Sequence, residues 1–256
     1  MKSLLLSVAV AAFWCADLAA QEVVAAESAS TADDDLTAGY RFVKSRPNGD
    51  WYIDYRAMGE EARNDDHFAA LAERFIAADS ALGVEDIQVL YYGRAYRDDY
   101  AGGYGLCADI GELIDAQCYD EAFDLCVERR KSDPASPCLL RLLHEAASKK
   151  SRPATERELS DLERSYEFVL NVISYSGNGT MLAPYMVAAV EDEYEFMINK
   201  LGITEIQMQQ RVAMDDGTQC DIITVAEGEG SDSENDEVWF NVDMPSAVQN
   251  KSGENK

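Results

Sequence analysis

Tyr92, Tyr96, Tyr100 and Tyr104 recur at every fourth position, with Arg94 and Arg97 between them. On a helix that interval stacks side chains on one face. A row of phenols flanked by guanidiniums suits the recognition of a glycan or a peptide. Gly102 and Gly103 interrupt the helix that would align the row, so a second use stands beside the first. In it, Tyr91, Tyr92 and Tyr96 pack on neighbouring helices while Tyr100 and Tyr104 fasten a loop to the surface. The six residues Tyr92, Tyr96, Tyr100, Tyr104, Arg94 and Arg97 are the candidate binding surface.

No catalytic residue is assigned. The histidines are His67 and His144; His144-Glu145 lacks the second His of a zinc-protease helix. Cys138, six positions before His144, falls on another helix face, so no local nucleophile and base pair forms. The chain holds no G-x-S-x-G, phosphate-binding loop or G-x-G-x-x-G. Asp232, Glu234 and Asp236 alternate as a calcium loop requires, but Glu237 stands where that loop needs Gly, so the segment reads as solvated. No metal and no cofactor is expected. Cys107, Cys118, Cys126 and Cys138 contain no C-x-x-C pair. A hairpin turning near Gln117 brings Cys107 opposite Cys126, and both a disulfide and two buried thiols fit there.

Charge narrows the partners. The chain of 256 residues carries 48 Asp and Glu against 22 Lys and Arg, a net charge of -26, which repels phosphate backbones and anionic lipid surfaces. Nucleic acid is therefore excluded as a partner. Lys2, the apolar run Leu4 to Trp14 and the small residues Ala19 and Ala20 have the layout of a secretory signal peptide over 1–20. The run is short of the roughly 20 residues that cross a bilayer. Phe13 and Trp14 stand before Cys15 where lipoprotein processing prefers a small residue. The expected product is exported, soluble and periplasmic or extracellular, with no integral membrane segment after cleavage.

The elements that must position these residues follow from periodicity. A flexible leader spans 21–36, a helical domain 37–176, a small antiparallel sheet with one short helix 177–245, packed on the helical domain, and a disordered tail 246–256. Phe68, Leu71, Phe75, Ile76 and Leu82 predict a helix from Asp65 that stops at Gly83. A second helix is expected over 84–96, a helical hairpin over 106–131, and another helix from Leu139 to before Pro153. Thr155 and Glu158 form a capping box ahead of the longest helix. Tyr185 to Val190 reads as a buried strand, and 191–201 as a helix with Tyr194, Met197, Ile198 and Leu201 on its apolar stripe. Alternation then marks strands around Ile206 to Val212, Cys220 to Val225 and Val238 to Val242, with Asp216-Gly217 as the first turn. The fold class is α+β, a helical body followed by a small antiparallel sheet.

Gln117 to Phe123, continuing to Asp133-Pro134, resembles the turn and second helix of a tetratricopeptide repeat, although Arg129 and Gln117 depart from its small residues and no second copy follows. Val89-Leu90-Tyr91-Tyr92-Gly93, Asp192-Glu193-Tyr194, Cys220-Asp221 and Val238 to Asp243 together resemble the bacterial family labelled domain of unknown function 4919, over roughly 65–245. That resemblance implies an exported product and this architecture, with no activity attached. The expected function is that of a non-catalytic protein binding a peptide or protein partner in the cell envelope. The alternative is a glycan-binding module or a hydrolase whose site is assembled from residues distant in sequence.

Overall fold

The structure, a computed structural model, describes residues 40–45, 51–100, 105, 107–226 and 237–246. The expected signal peptide, the leader, Tyr104, the acidic residues 227–236 and all of the tail after Ser246 lie outside the described residues.

The described residues before Asn64 form two short paired strands followed by a helix. β1 (Val43–Ser45) pairs antiparallel with β2 (Trp51–Ile53), and Asp54 then caps α1 (Tyr55–Ala62) by accepting from the Ala57 amide at 3.0 Å. α2 (Asp65–Ile76) starts on the Asn64 side chain, and Asp65 and Asp66 in its first turn favour the positive end of the helix dipole. It ends well before Leu82. Ala78 takes a left-handed φ of 54°, and the Asp79 carboxylate accepts from the Ala81 amide at 2.9 Å and from Arg74 at 2.7 Å, so a side-chain turn reverses the chain. Gly83 consequently serves as N-cap of α3 (Val84–Tyr91), its amide donating to Asp86 at 3.1 Å, rather than as the stop of α2. A short 3₁₀ turn, Gly93–Tyr96, follows α3.

α4 (Ala108–Asp115) and α5 (Tyr119–Arg129) form the expected hairpin, with Gln117 at φ 60° in its turn. α6 (Pro137–Lys149) opens with Ser136 as N-cap and Pro137 in the first turn, where its missing amide proton costs nothing. α7 (Glu156–Ser174) begins on the Thr155 and Glu158 capping box. Ile110, Ala122, Cys126, Leu139 and Leu142 make a cluster of their own where α4, α5 and α6 meet. Both α5 and α7 pack on α6, and α7 also packs on α3.

The C-terminal part holds β3 (Tyr185–Met186), α8 (Glu191–Asn199), β4 (Ile206–Ala213), β5 (Gln219–Val225) and β6 (Glu237–Asn241). The sheet order is β3-β6-β5-β4; β5 is antiparallel to both neighbours and β3 runs parallel to β6. Phe196, Phe240 and Val242 share one buried cluster with Phe68, Phe75, Tyr91 and Tyr92 from the helices.

Two expectations fail here for a common reason. Only the first two residues of the apolar run Tyr185 to Val190 are strand: the Val187 amide still donates to the Asn241 carbonyl at 3.3 Å, but at Ala188 tyrosine hydroxyls take over, the amide donating to Tyr91 at 3.2 Å and Tyr100 donating to the carbonyl at 2.6 Å. On α8 the buried residues are Asp192, Glu193, Glu195, Phe196 and Met197, while Tyr194 and Ile198 are partly exposed. Charged partners from other elements draw the three acids onto that face beside Phe196 and Met197. Among the described residues no helix is long and apolar enough to cross a membrane.

Candidate functional site

Among the described residues, the members of the tyrosine and arginine row do not present a common exposed face. Tyr92 is fully buried on α3's end, its hydroxyl within 3.2 Å of the Val172 and Met186 carbonyls. Arg94 is buried as well, bonded to Asp133 and, at 3.0 Å, to Asp192, with the rings of Tyr91 and Tyr100 at 5.0 and 5.7 Å. Tyr96 is half-buried against Gly59. Arg97 donates to the Ala62 carbonyl at 2.7 Å and to Asp65 at 3.0 Å while its guanidinium lies over Phe68. These side chains fasten the region after α3 to α1, α2 and the chain before α8.

The first turn of α8 gathers the buried carboxylates. Asp192 accepts from the Tyr91 hydroxyl at 2.8 Å and from Arg94. Burial pushes its carboxyl up to about 7, an effect that Arg94 and the Tyr91 hydrogen bond oppose. Burial alone would lower Arg94, but Asp133, then Tyr100 and Asp192, hold it above its ordinary value. Glu193 turns to the sheet: Gln209 donates to it at 3.0 Å and to Asp221 at 3.1 Å, and Arg211 grips Asp221 with two bonds of 2.7 and 2.8 Å. Burial and then the neighbouring Asp221 charge raise Glu193 well above the usual carboxylate range. Its Oε1 has no hydrogen-bond partner among the described residues. Glu195 points elsewhere again, accepting from Arg141 at 2.8 Å and from Tyr166 at 3.1 Å. Three acids within four residues thus tie α8 to the 3₁₀ turn, to β4 and β5, and to α6 and α7. The sequence marks Asp192-Glu193 and Asp221 as family-like but gives no sign that they are buried.

Of the disulfide and the free thiols open to Cys107 and Cys126, the structure has the free thiols. All five described cysteines are free, and Cys107 faces Cys138 rather than Cys126. The hydrogen bond to Cys138, with burial behind it, raises the Cys107 thiol far above its ordinary value; burial and the Cys138 charge push Cys126 up to about 12. Among the described residues no group of three His, Cys, Asp or Glu is placed to hold a metal ion.

A ligand-sized opening lies on the helical side. A cavity of about 430 Å³ sits between α5 and α7, floored by Leu143 and Ala147 of α6 and reached by Ile76 and Ala78 at the end of α2. Phe123 and Val127 form one wall and Leu162 the other. Three cations line it, Arg130, Lys150 and Arg152, with two acids, Glu158 and Asp161. The acids are engaged elsewhere: Glu158 accepts from the Thr155 amide at 2.7 Å, and Asp161 pairs with Arg164 at 2.8 Å. The Lys150 ammonium stands 3.5 Å from the Phe123 ring centroid, a cation–π contact. Arg130 is 7% exposed, has an unbonded Nε and forms no ion pair among the described residues. Its guanidinium lies 5.7 Å from the Phe75 ring, and burial lowers it to about 10. Sequence reasoning missed Arg130, which reads there as one more charge at the end of an amphipathic helix.

Fold and site together define an α+β protein whose buried Asp192, Glu195 and Asp221 are tied into its own frame and whose helical half carries a cationic, part-apolar groove. The chain belongs to the domain of unknown function 4919 family, whose family model matches residues 59–251, a span that includes the whole groove. No curated protein and no solved structure shows significant similarity to it.

Proposed function

We propose that the chain is a non-catalytic, exported protein that binds a peptide or protein partner in the cell envelope, and that the partner seats in the groove between α5 and α7. The observation that carries this reading is the groove's combination of apolar walls with Arg130, a buried cation that has no ion-pair partner among the described residues. A volume near 430 Å³ falls in the range of about 300–1,000 Å³ typical of ligand sites. A hydrolase needs a carboxylate or histidine free to move a proton at a substrate, whereas Asp192, Glu195 and Asp221 are each held by an arginine. Export is supported by the pattern over residues 1–20 and is tested by sequencing the N-terminus of protein from the envelope fraction. The groove is tested by selecting from a random peptide library on the wild-type protein and on Val127→Glu, which places a charge on a wall residue that is partly exposed. Peptides retained by the wild type and lost from the variant, at unchanged melting temperature, support the reading. Equal retention by both proteins overturns it.

A further inference from the structure

Resting on that reading of the groove, we infer that its ligand is the C-terminal end of a peptide, whose free carboxylate pairs with Arg130 while its last apolar side chain lies between Phe123, Val127 and Leu162. A buried charge without a partner is costly, and in folded proteins such charges are normally paired. This chain has 48 acidic residues from which to supply a partner. Two of them line the same cavity, yet both are turned to other groups. Among the described residues Arg130 is therefore left without an anion, and a planar guanidinium matches a carboxylate through two parallel bonds.

The surroundings narrow the anion further. Against Arg130, Lys150 and Arg152 stand Glu158 and Asp161 on the α7 side, a surplus of one positive charge that a single carboxylate neutralises and a doubly charged phosphate would exceed. The lining is nearly as polar as it is apolar. That balance suits a peptide, which brings amide groups along with its side chains, better than an alkyl chain. Lys150, held over Phe123, sets the charge at one side of the apolar slot rather than at its centre.

The test uses the full-length protein and two N-acetylated peptide libraries of matched composition, one with free C-terminal carboxylates and one amidated. Binding of peptides enriched from each is measured by calorimetry. The carboxylate form is expected to bind at least about tenfold more tightly, Arg130→Lys to retain part of the preference, and Arg130→Met to abolish it. Arg130→Met is also expected to keep or raise the melting temperature, because it removes an unpaired buried charge; a purely structural arginine would instead leave a less stable protein. Equal binding of the two libraries, or a carboxylate preference that survives in Arg130→Met, overturns the inference but leaves the groove as a peptide site. Decanoate displacing the peptides at equal concentration overturns it in favour of a fatty acid. Failure of the wild type to retain either library overturns both this inference and the groove reading.

Discussion

Adjacent acids at the start of α8 have different surroundings, and their titration should show it. Glu193 is raised well above the usual range by burial and by Asp221, and Asp192 is raised to about 7 chiefly by burial. An acid whose proton affinity is higher in the folded than in the unfolded chain makes folding take up protons. Its contribution is fully present below the unfolded-state value and is lost as pH rises through the folded-state value. The melting temperature should therefore climb as pH falls through about 7, where Asp192 takes up its proton, towards the unfolded-state carboxylate value of about 4. Glu193→Gln should stabilise the protein at about pH 8 and flatten the climb, since it removes the cost of ionising a carboxyl buried beside Asp221. Thermal melts across pH on both proteins measure this; an unchanged slope in the variant would show that Glu193 is ionised in the native state. Cysteine reactivity offers a separate check. Cys126, Cys138 and Cys220 are buried and Cys107 is engaged by Cys138, whereas Cys118 sits at the surface end of α5. Iodoacetamide on the native protein should label Cys118 first, as a peptide map would reveal.

Among elements, the tightest crossing is that of α1 with the 3₁₀ turn after α3. A Cβ on Gly93 would stand 2.7 Å from the Ala62 Cβ and 2.8 Å from the Met58 carbonyl oxygen. Gly93→Ala should cost about 1–3 kcal/mol through overpacking. Gly111→Ala on α4, where nothing lies within 4 Å, should instead stabilise by about 0.5–1 kcal/mol because alanine is the better helix former. Urea midpoints at constant slope test the pair. The same crossing shows where sequence reading works and where it stops. The hairpin, the start of α7 and the turns at Gly202 and Gly217 are legible because a cap or a left-handed glycine is specified within a few residues. The end of α2, the buried face of α8 and the loss of strand after Met186 are not. Those depend on contacts such as Ala188 with Tyr91, which are 97 residues apart. The tyrosine interval is present in the chain, but the helix ends at Tyr91 and the 3₁₀ turn rotates the following residues out of line. The groove's place follows from the hairpin and the capped helix after it. Arg130 could not be singled out, because lacking a partner is a property of the folded surroundings and not of any local pattern.

At the scale of the whole molecule, the surplus of acids decides how the protein responds to salt. Screening weakens surface ion pairs such as Arg56 with Glu60 and Lys149 with Glu145, each worth about 0–1 kcal/mol, and it also weakens the repulsion among unpaired carboxylates. With 48 acids and 22 bases, even complete pairing of every base leaves 26 acids over (48 − 22), so repulsion outweighs attraction. The melting temperature should rise as added sodium chloride shortens the screening length from about 30 Å at 0.01 M to about 8 Å at 0.15 M. Calcium and magnesium should shift it equally at matched ionic strength, for among the described residues no cluster of ligands is placed to select one of them. A calcium-selective shift that disappears in Asp232→Ala or Asp236→Ala would locate a site in the acidic segment instead. Salt also separates this global repulsion from the local titration of Glu193. Lowering pH removes surface charge, and that part of the stabilisation should vanish in high salt, whereas a charge sealed between α8 and the sheet is screened far less. The pH dependence that persists at about 1 M salt, and that Glu193→Gln removes, is then the contribution of Glu193 alone.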